Sequence, residues 1–270
     1  MNFFVEGLQG SGKSTLVQRL SELRPEYAVY REGDYSPVEL AWCAWLTEGQ
    51  YRAVLKKYAS IRPLIEEKTV REGARYVVCY TRVRTDAPGF YGEMEQHEIY
   101  HGLVSWEDFA SIRLGRFERW TGNNSVFECA LFQNTVEDMI LFREKTDEEI
   151  LSFFRRVRDA LEGKFFHILY LKTEDVKGNL DAIRKERTDD QGRELWFPMM
   201  CAYFDASPWA KARGAQGEEG ILSHLAHRQA LEMRICEEIF PGRFTVLPSK
   251  RYAPDALSAL PGGDRPEKEE

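Results

Sequence analysis

Residues 7–14 (Gly-Leu-Gln-Gly-Ser-Gly-Lys-Ser) carry glycines, a lysine and a hydroxyl at a spacing that suits phosphate binding. Glycines let a backbone fold so that its N–H groups point at an anion in front of a helix N-terminus. The segment fits G-x-x-x-x-G-K-[ST], in which the lysine reaches the β- and γ-phosphates and the last hydroxyl binds Mg²⁺. It lies between an apolar run, 2–6, and an amphipathic run, 14–23, which is the strand–loop–helix context that the motif requires. The predicted nucleotide-binding residues are Gly7, Gly10, Ser11, Gly12, Lys13, Ser14 and Thr15, with Lys13 also catalytic and Ser14 also a metal ligand.

Acidic residues at predicted strand ends are the candidates for the rest of the chemistry. Glu32 and Asp34 follow a strand-like run at 27–31, and Glu128 lies within the apolar run 125–132. The carboxyl ends of parallel strands face the ligand crevice, where one acid can orient or deprotonate an acceptor hydroxyl and another can hold Mg²⁺. Because a buried charge without a purpose is costly, Glu128 is predicted to be catalytic and to serve the metal, and the alternative for each acid is a satisfied carboxylate at a strand end. Glu32 is slightly preferred over Asp34 as the base, and the choice between them stays open.

Three arginines, Arg184, Arg187 and Arg193, flank a polar turn at 188–192. Guanidinium groups can neutralise the charge that spreads over a transferring phosphoryl group, and a mobile lid can bring them to it. The alternative is a solvated, charged helix end. We therefore expect a lid at about 184–194, with these three arginines as catalytic residues.

Strands that alternate with helices predict an α/β protein. The expected fold is a three-layer αβα sandwich with a five-stranded parallel sheet of order 2-3-1-4-5. We expect one domain over residues 1–252, with a helical, acceptor-side insertion at about 35–121 that has a single strand-like run near 75–80. The end of the chain, 253–270, mixes proline, glycine and charged residues and is predicted to be a disordered tail. The predicted strands are 2–6, 27–31, 125–132, 165–171 and 243–247.

The charge balance and the cysteines restrict location and partners. The chain has 37 Lys+Arg against 44 Asp+Glu, a formal net charge of −7, which disfavours nucleic-acid polymers and anionic membranes as partners. Its apolar runs are shorter than the roughly 18 residues of a membrane span, and the N-terminus has no signal-peptide pattern. Five cysteines without a CxxC pair suit a reducing compartment. We expect a cytoplasmic protein whose partner is a small molecule, with a homodimer left open.

The opening Glu-Gly-x-x-Gly-Ser-Gly-Lys-Ser-Thr of residues 6–15 resembles the nucleoside and nucleotide kinase group of P-loop proteins, notably thymidylate kinases and deoxynucleoside kinases. Arg31-Glu32 is similar to their R-E-P or E-P element, whose Glu is the base in deoxynucleoside kinases. Glu128 matches the acid of their D-R or E-R element, and residues 179–187 look like the entry to their lid. The chain differs where no Pro follows Glu32 and where Cys129 replaces the Arg. The resemblance implies a P-loop NTPase fold that uses ATP and Mg²⁺.

Together these patterns predict a small-molecule kinase that transfers the γ-phosphate of ATP to a hydroxyl or phosphate. A nucleoside or nucleotide is the first expected acceptor, with an antibiotic or a sugar as the alternative, and the preference for ATP over GTP stays open. A nucleotide-dependent switch with slow ATPase activity is the competing class. Residues 97–101 also fit the zinc-hydrolase pattern H-E-x-x-H, but Gly102 and the polar flanks argue against a zinc helix.

Overall fold

The computed structural model describes residues 1–251, which form two compact units. The first unit contains Met1–Val29 and the chain from Thr121 onward, and the second is Tyr30–Trp120. The predicted tail, 253–270, lies outside the described residues. In chain order the strands are β1 (Asn2–Gly7), β2 (Ala28–Tyr30), β3 (Ala44–Thr47), β4 (Thr69–Glu72), β5 (Arg75–Val78), β6 (Ser125–Glu128), β7 (Phe166–Lys172) and β8 (Phe244–Pro248).

The first helix, Lys13–Leu23, covers the predicted amphipathic run 14–23, and further helices lie between the strands of both units. Among the described residues, none of them combines the length and the apolar character needed to cross a membrane. In chain order they are α1 (Lys13–Leu23), α2 (Glu48–Lys57), α3 (Arg62–Glu67), α4 (Phe90–Glu95), α5 (Trp106–Arg119), α6 (Gln133–Leu141), α7 (Asp147–Ala160), α8 (Val176–Glu186), α9 (Trp196–Ala206), α10 (Pro208–Arg213) and α11 (Gly217–Ile239).

A five-stranded parallel sheet of order β2-β6-β1-β7-β8 forms the centre of the first unit. Numbered along the whole chain, this order differs from the expected 2-3-1-4-5, because β3, β4 and β5 precede β6 in the sequence. Counted among the strands of this sheet alone, the order reads 2-3-1-4-5. The central strand β1 lies between β6 and β7, so that Phe3 is opposite both Val126 and His167.

Helices flank this sheet, as the α/β pattern predicts. Side chains of β1 alternate between the two faces. On one face Phe3 packs in an apolar cluster with Leu16 of α1. On the other face the ring of Phe4 meets that of Phe166 at 5.7 Å, and Phe166 meets Phe240, at the end of α11, at 5.8 Å. Both faces of the central strand are therefore buried, which explains its uninterrupted apolar sequence.

Besides its helices, the second unit contains an antiparallel sheet of order β3-β5-β4, so the prediction of a single strand in this region was wrong. Strand β3 pairs with β5 from Ala44 opposite Val78 to Thr47 opposite Arg75. The strands β3 and β4 are four residues long, too short to show a clear alternation of apolar and polar residues. Strand β3 pairs with β5, which comes two helices later in the chain, so no local pattern predicts β3. Strand β4 is joined to β5 by the two residues Gly73 and Ala74.

Glu6, in β1, is expected to make the stability of the first unit depend on pH. It is fully buried, and its carboxylate accepts hydrogen bonds from the backbone N–H groups of Leu131 at 2.7 Å and Gln133 at 3.2 Å. Burial outweighs these bonds and raises the pKa of Glu6 from 4.5 to about 7. The folded chain therefore holds this proton more tightly than the unfolded chain does. The contribution of Glu6 to stability is largest below pH 4.5 and falls as the pH rises towards about 7.

We expect the substitution Glu6→Gln to remove this part of the pH dependence, because an amide of the same shape does not ionise. Urea unfolding of both proteins, followed from below pH 4.5 to above pH 7, should show a smaller fall of the unfolding free energy in the variant. Glu22→Gln, at an exposed position of α1, is the matched control and should follow the parent. Parallel curves for Glu6→Gln and the parent would contradict the assignment.

Candidate functional site

The glycine-rich loop joins β1 directly to α1, and its backbone conformation requires glycine at Gly10 and Gly12 among others. Gly10 and Gly12 have φ values of +71° and +96°, a region that other residues rarely adopt. A Cβ at Gly10 would also lie 2.1 Å from Cγ1 of Ile183 in α8, so a larger residue cannot fit there. The loop is therefore shaped both by its own backbone and by the helix that packs on it.

Lys13 and the start of α1 place positive charge at this loop. The Nζ atom of Lys13 donates to the carbonyl oxygens of Gly7 at 2.9 Å and Leu8 at 2.7 Å. Within residues 1–251, no side chain caps the first turn of α1, and that turn has no acidic residue. The unpaired N–H groups of a helix start and a lysine ammonium both favour a bound anion.

Ser11 supports the same conclusion, since its side chain is fully buried in the loop. In the part of the chain that the structure describes, its Oγ has no hydrogen-bond partner. A buried hydroxyl without a partner is costly, and a phosphate oxygen would satisfy it. Thr15, by contrast, is exposed on α1.

Ser14 and Glu128 form the second feature of the site. The Ser14 hydroxyl donates to Oε1 of Glu128 at 2.5 Å. Glu128 is opposite Val5 in the pairing of β6 with β1, which carries its carboxylate to the end of the sheet where the loop begins. These two residues are the metal ligands predicted from the sequence, and the structure brings them together.

The oxygen atoms of this pair fit Mg²⁺. A hydroxyl and a carboxylate are hard oxygen ligands, and Mg²⁺ in nucleotide sites takes one or two such groups with phosphate and water for the rest. Among the described residues, no group of three or more His, Cys, Asp or Glu side chains is placed to hold a metal by itself. A metal at Ser14 and Glu128 would therefore need the phosphate and water ligands that this chemistry provides.

Cys129 occupies the position where the nucleoside and nucleotide kinases, which the opening of the chain resembles, have an arginine. It is buried, has φ of +57°, and its N–H donates to the carbonyl oxygen of Val5 at 3.1 Å. This left-handed residue ends β6 directly after Glu128. At this position the chain therefore has a thiol in place of a guanidinium group.

The three predicted lid arginines lie beside acids or aromatic rings of their own region. Arg184 donates to both carboxylate oxygens of Glu194, at 3.0 and 3.1 Å, and to Glu218 at 2.7 Å. The guanidinium of Arg187 lies 5.0 Å from the centre of the Trp196 ring. Arg193 forms an ion pair with Asp189 at 2.6 Å. In this conformation the three arginines contact acidic and aromatic side chains of the protein itself.

The contact of α8 with the loop is made instead by two residues of the segment 179–187 that received no role of their own in the sequence analysis. Nδ2 of Asn179 donates to the carbonyl oxygen of Gln9 at 2.8 Å, and Ile183 packs against Gly10. Asn179 and Ile183 are one turn apart, which is the only sequence signal that they share a helix face. Through these contacts α8 and the loop hold each other in place.

A buried polar network lies behind the loop and was also missed. Arg228 of α11 donates to Oε1 of Gln9 at 2.7 Å and forms a close ion pair with Glu137 of α6. Glu232 lies one turn further along α11, with Oε1 3.3 Å from Nε of Arg228. Tyr170 of β7 donates its hydroxyl hydrogen to Glu232 at 2.6 Å. The network connects α6, α11 and the sheet to Gln9, inside the loop.

The charges in this network depend on one another. Burial opposes the charge of Glu137, but the Arg228 guanidinium beside it lowers the pKa of that carboxyl to about 2. Burial raises the pKa of Glu232, although Arg228 and the Tyr170 hydroxyl act against this. Arg228 is therefore the cation that keeps at least Glu137 ionised.

Glu32 and Asp34 lie in the second unit, and each is hydrogen-bonded there. Trp42 donates its ring N–H to Oε1 of Glu32 at 3.0 Å. Arg82 pairs with Asp34 at 2.8 Å and donates to the backbone carbonyl of Glu32 at 2.8 Å. Asp34 and Arg82, with Arg84, also line a cavity of about 620 Å³ in this unit. The cavity favours Asp34 as the acid that a small molecule can reach.

The H-E-x-x-H segment does not form the helix that a zinc protease requires. Helix α4 ends at Glu95, before the motif begins. The carboxylate of Glu98 accepts a hydrogen bond from Tyr80 at 2.6 Å, and His101 Nδ1 lies 3.9 Å from it. Without a helix the two histidines lack the one-turn spacing that a shared metal needs.

Comparison of the chain with protein-family models and with curated proteins found no match. The features that bear on function are therefore the loop, the Ser14–Glu128 pair and the cavity.

Proposed function

We propose that the protein is a small-molecule kinase with the three-layer αβα fold of P-loop NTPases, dependent on ATP and Mg²⁺. The observation that carries the proposal is the hydroxyl–carboxylate pair of Ser14 and Glu128 next to the loop that holds Lys13. A phosphate-binding loop alone would suit any anion. The oxygen ligands of Ser14 and Glu128 fit a nucleotide that binds together with a magnesium ion.

The loop, Glu128 and the lid have separate roles in this proposal. Lys13 exchanges its two carbonyl partners for the β- and γ-phosphates, and the N–H groups at the start of α1 donate to the same oxygens. Ser14 and Glu128 would hold a magnesium ion, which would neutralise phosphate charge when bound. Arg184 would stabilise the transferring group only after it leaves Glu194, so the lid must change conformation for it to act.

The acceptor is assigned to the second unit, where Asp34 orients or deprotonates its hydroxyl. The cavity of about 620 Å³ has the size of a small-molecule site, and Arg82 and Arg84 on its wall suit an acceptor that carries negative charge. A nucleoside or nucleotide is the first acceptor to test. Antibiotics and sugars with free hydroxyls are the alternative class.

The test is coupled ADP release from Mg²⁺-ATP with a panel of nucleosides, nucleoside monophosphates, sugars and hydroxylated antibiotics. Free phosphate is measured in parallel. We expect ADP release that requires one acceptor class and produces no free phosphate. Asp34→Asn should then lose most of this activity, and Glu32→Gln, its matched control two residues away, should retain more. Release of ADP and phosphate together at one slow rate, whatever acceptor is added, would overturn the kinase proposal in favour of a nucleotide-dependent switch.

A further inference from the structure

Cys43 and Cys79 lie opposite each other at one end of the antiparallel sheet in the second unit. Ala44 of β3 pairs with Val78 of β5, so the next position along the ladder places Cys43 across from Cys79. Their sulfur atoms are 3.6 Å apart, and both side chains are buried. The contact joins residues that are distant in the chain and is set by the register of two strands.

The backbone shows that this is a position without cross-strand hydrogen bonds. The N–H of Cys79 donates away from β3, to the carbonyl oxygen of Lys68 at 2.9 Å, and the N–H of Cys43 donates to Leu40 at 3.1 Å. At such positions the two Cα atoms are about 4.5 Å apart and the side chains are closest. Disulfides form across Cα separations of about 4.4–6.8 Å, so a bond needs side-chain rotation and no rearrangement of the sheet.

Cys79 is the thiol of the pair that is better placed to meet an oxidant. It borders the cavity of about 620 Å³, along which a small oxidant can approach. The hydrogen bond that it accepts from the Cys43 thiol lowers the pKa of Cys79, helped by the charges of Arg82 and Lys68, while burial and Asp34 oppose this. The same hydrogen bond and burial raise the pKa of Cys43. Cys79 is thus suited to attack the oxidant, and Cys43 is suited to attack the oxidised Cys79 afterwards.

We propose that Cys43 and Cys79 are a peroxide-reactive dithiol that closes to a reversible intramolecular disulfide. In the first step the Cys79 thiolate attacks the O–O bond of hydrogen peroxide, which breaks as the S–O bond of a sulfenic acid forms and hydroxide leaves. In the second step the Cys43 sulfur attacks Cys79, the S–S bond forms, and the S–O bond breaks to release water as Cys43 loses its proton. Overall two thiols are oxidised and one peroxide is reduced to two waters.

The inference does not depend on kinase activity, and its test uses the thiols directly. The full chain is reduced, freed of reductant and exposed to hydrogen peroxide, and its free thiols are counted in denaturant. We expect the count to fall by two from the five cysteines of the sequence and to be restored by dithiothreitol. Peptide mapping without reduction should identify a single bridge, between Cys43 and Cys79.

Variants separate the two steps. Cys43→Ala should leave Cys79 as a sulfenic acid that dimedone traps, and Cys79→Ala should give neither a bridge nor trapping at Cys43. Cys201→Ala, a control at a partly exposed cysteine, should form the bridge as the parent does. Circular dichroism confirms that each variant is folded before it is oxidised. A folded parent whose thiol count stays at five, or whose bridge joins other cysteines, would overturn the inference.

Discussion

Replacing Lys13 with alanine should lower ATP-dependent turnover by about a hundredfold to a thousandfold, the loss seen when one charged or polar group that stabilises a transition state is removed. The ammonium is the one cation of the phosphate loop, residues 7–14, and its Nζ lies within 2.9 Å of two loop carbonyls. In the proposed site it exchanges these partners for phosphate oxygens. ATP affinity, measured by calorimetry, should fall together with the rate of ADP release.

The control for this prediction must separate charge from folding. Removing Lys13 also deprives the carbonyls of Gly7 and Leu8 of a donor, which costs about 1–3 kcal/mol of stability. Lys211→Ala, at an exposed position of α10, loses the same side chain without touching the loop. If folded Lys13→Ala binds ATP and releases ADP as Lys211→Ala does, the phosphate-loop assignment is wrong.

Sequence patterns predicted the parts of the molecule whose signals are local. The loop and α1 are one continuous stretch, and the apolar runs of β1 and β7 are long enough to identify as buried strands. Glu128 was predicted because a carboxylate in an apolar run needs a purpose, and its contact with Ser14 follows from the pairing of β1 with β6. Such a contact spans a long stretch of chain, but each half of it has its own local signal.

Contacts that lack local signals were not predicted. Gln9 occupies an unspecified position of the loop motif, and nothing in its neighbourhood indicates that Arg228 of α11 will reach it. The pairing of Cys43 with Cys79 depends on the register between β3 and β5, and β3 is too short to be recognised. Cross-strand and helix–loop contacts of this kind are fixed by tertiary packing, which overrides weak local preference.

For the three lid arginines, the sequence identified the residues but not the side chains that they contact. A cluster of arginines near a turn predicts an anion, but acids of the same region satisfy that prediction equally well. Arg184 illustrates this, because Glu194 and Glu218 both bind it. Charge patterning alone does not distinguish a carboxylate of the chain from a phosphate of a ligand.

Replacing Arg228 with methionine should cost about 3–5 kcal/mol of the free energy of unfolding, because it leaves buried carboxylates without their cation. Arg228 is fully buried and forms ion pairs with Glu137 and Glu232. Arg234→Met is the matched control in the same helix, where a side chain that is 40% exposed pairs with surface acids. Such exposed pairs contribute about 0–1 kcal/mol, so urea unfolding should separate the two variants clearly.

The pH dependence distinguishes a lost ion pair from a simple packing defect. Burial opposes the charge of Glu137, but Arg228, with help from His224 and Gln9, lowers its pKa from 4.5 to about 2, so this carboxylate adds stability above pH 4.5 that is lost as the pH falls towards 2. The Arg228→Met variant lacks this contribution at every pH. The stability difference between parent and Arg228→Met should therefore shrink on acidification below pH 4.5, whereas a packing defect would keep it constant. A constant difference, or a cost no larger than that of Arg234→Met, would show that the network does not hold α11 to the loop through charge.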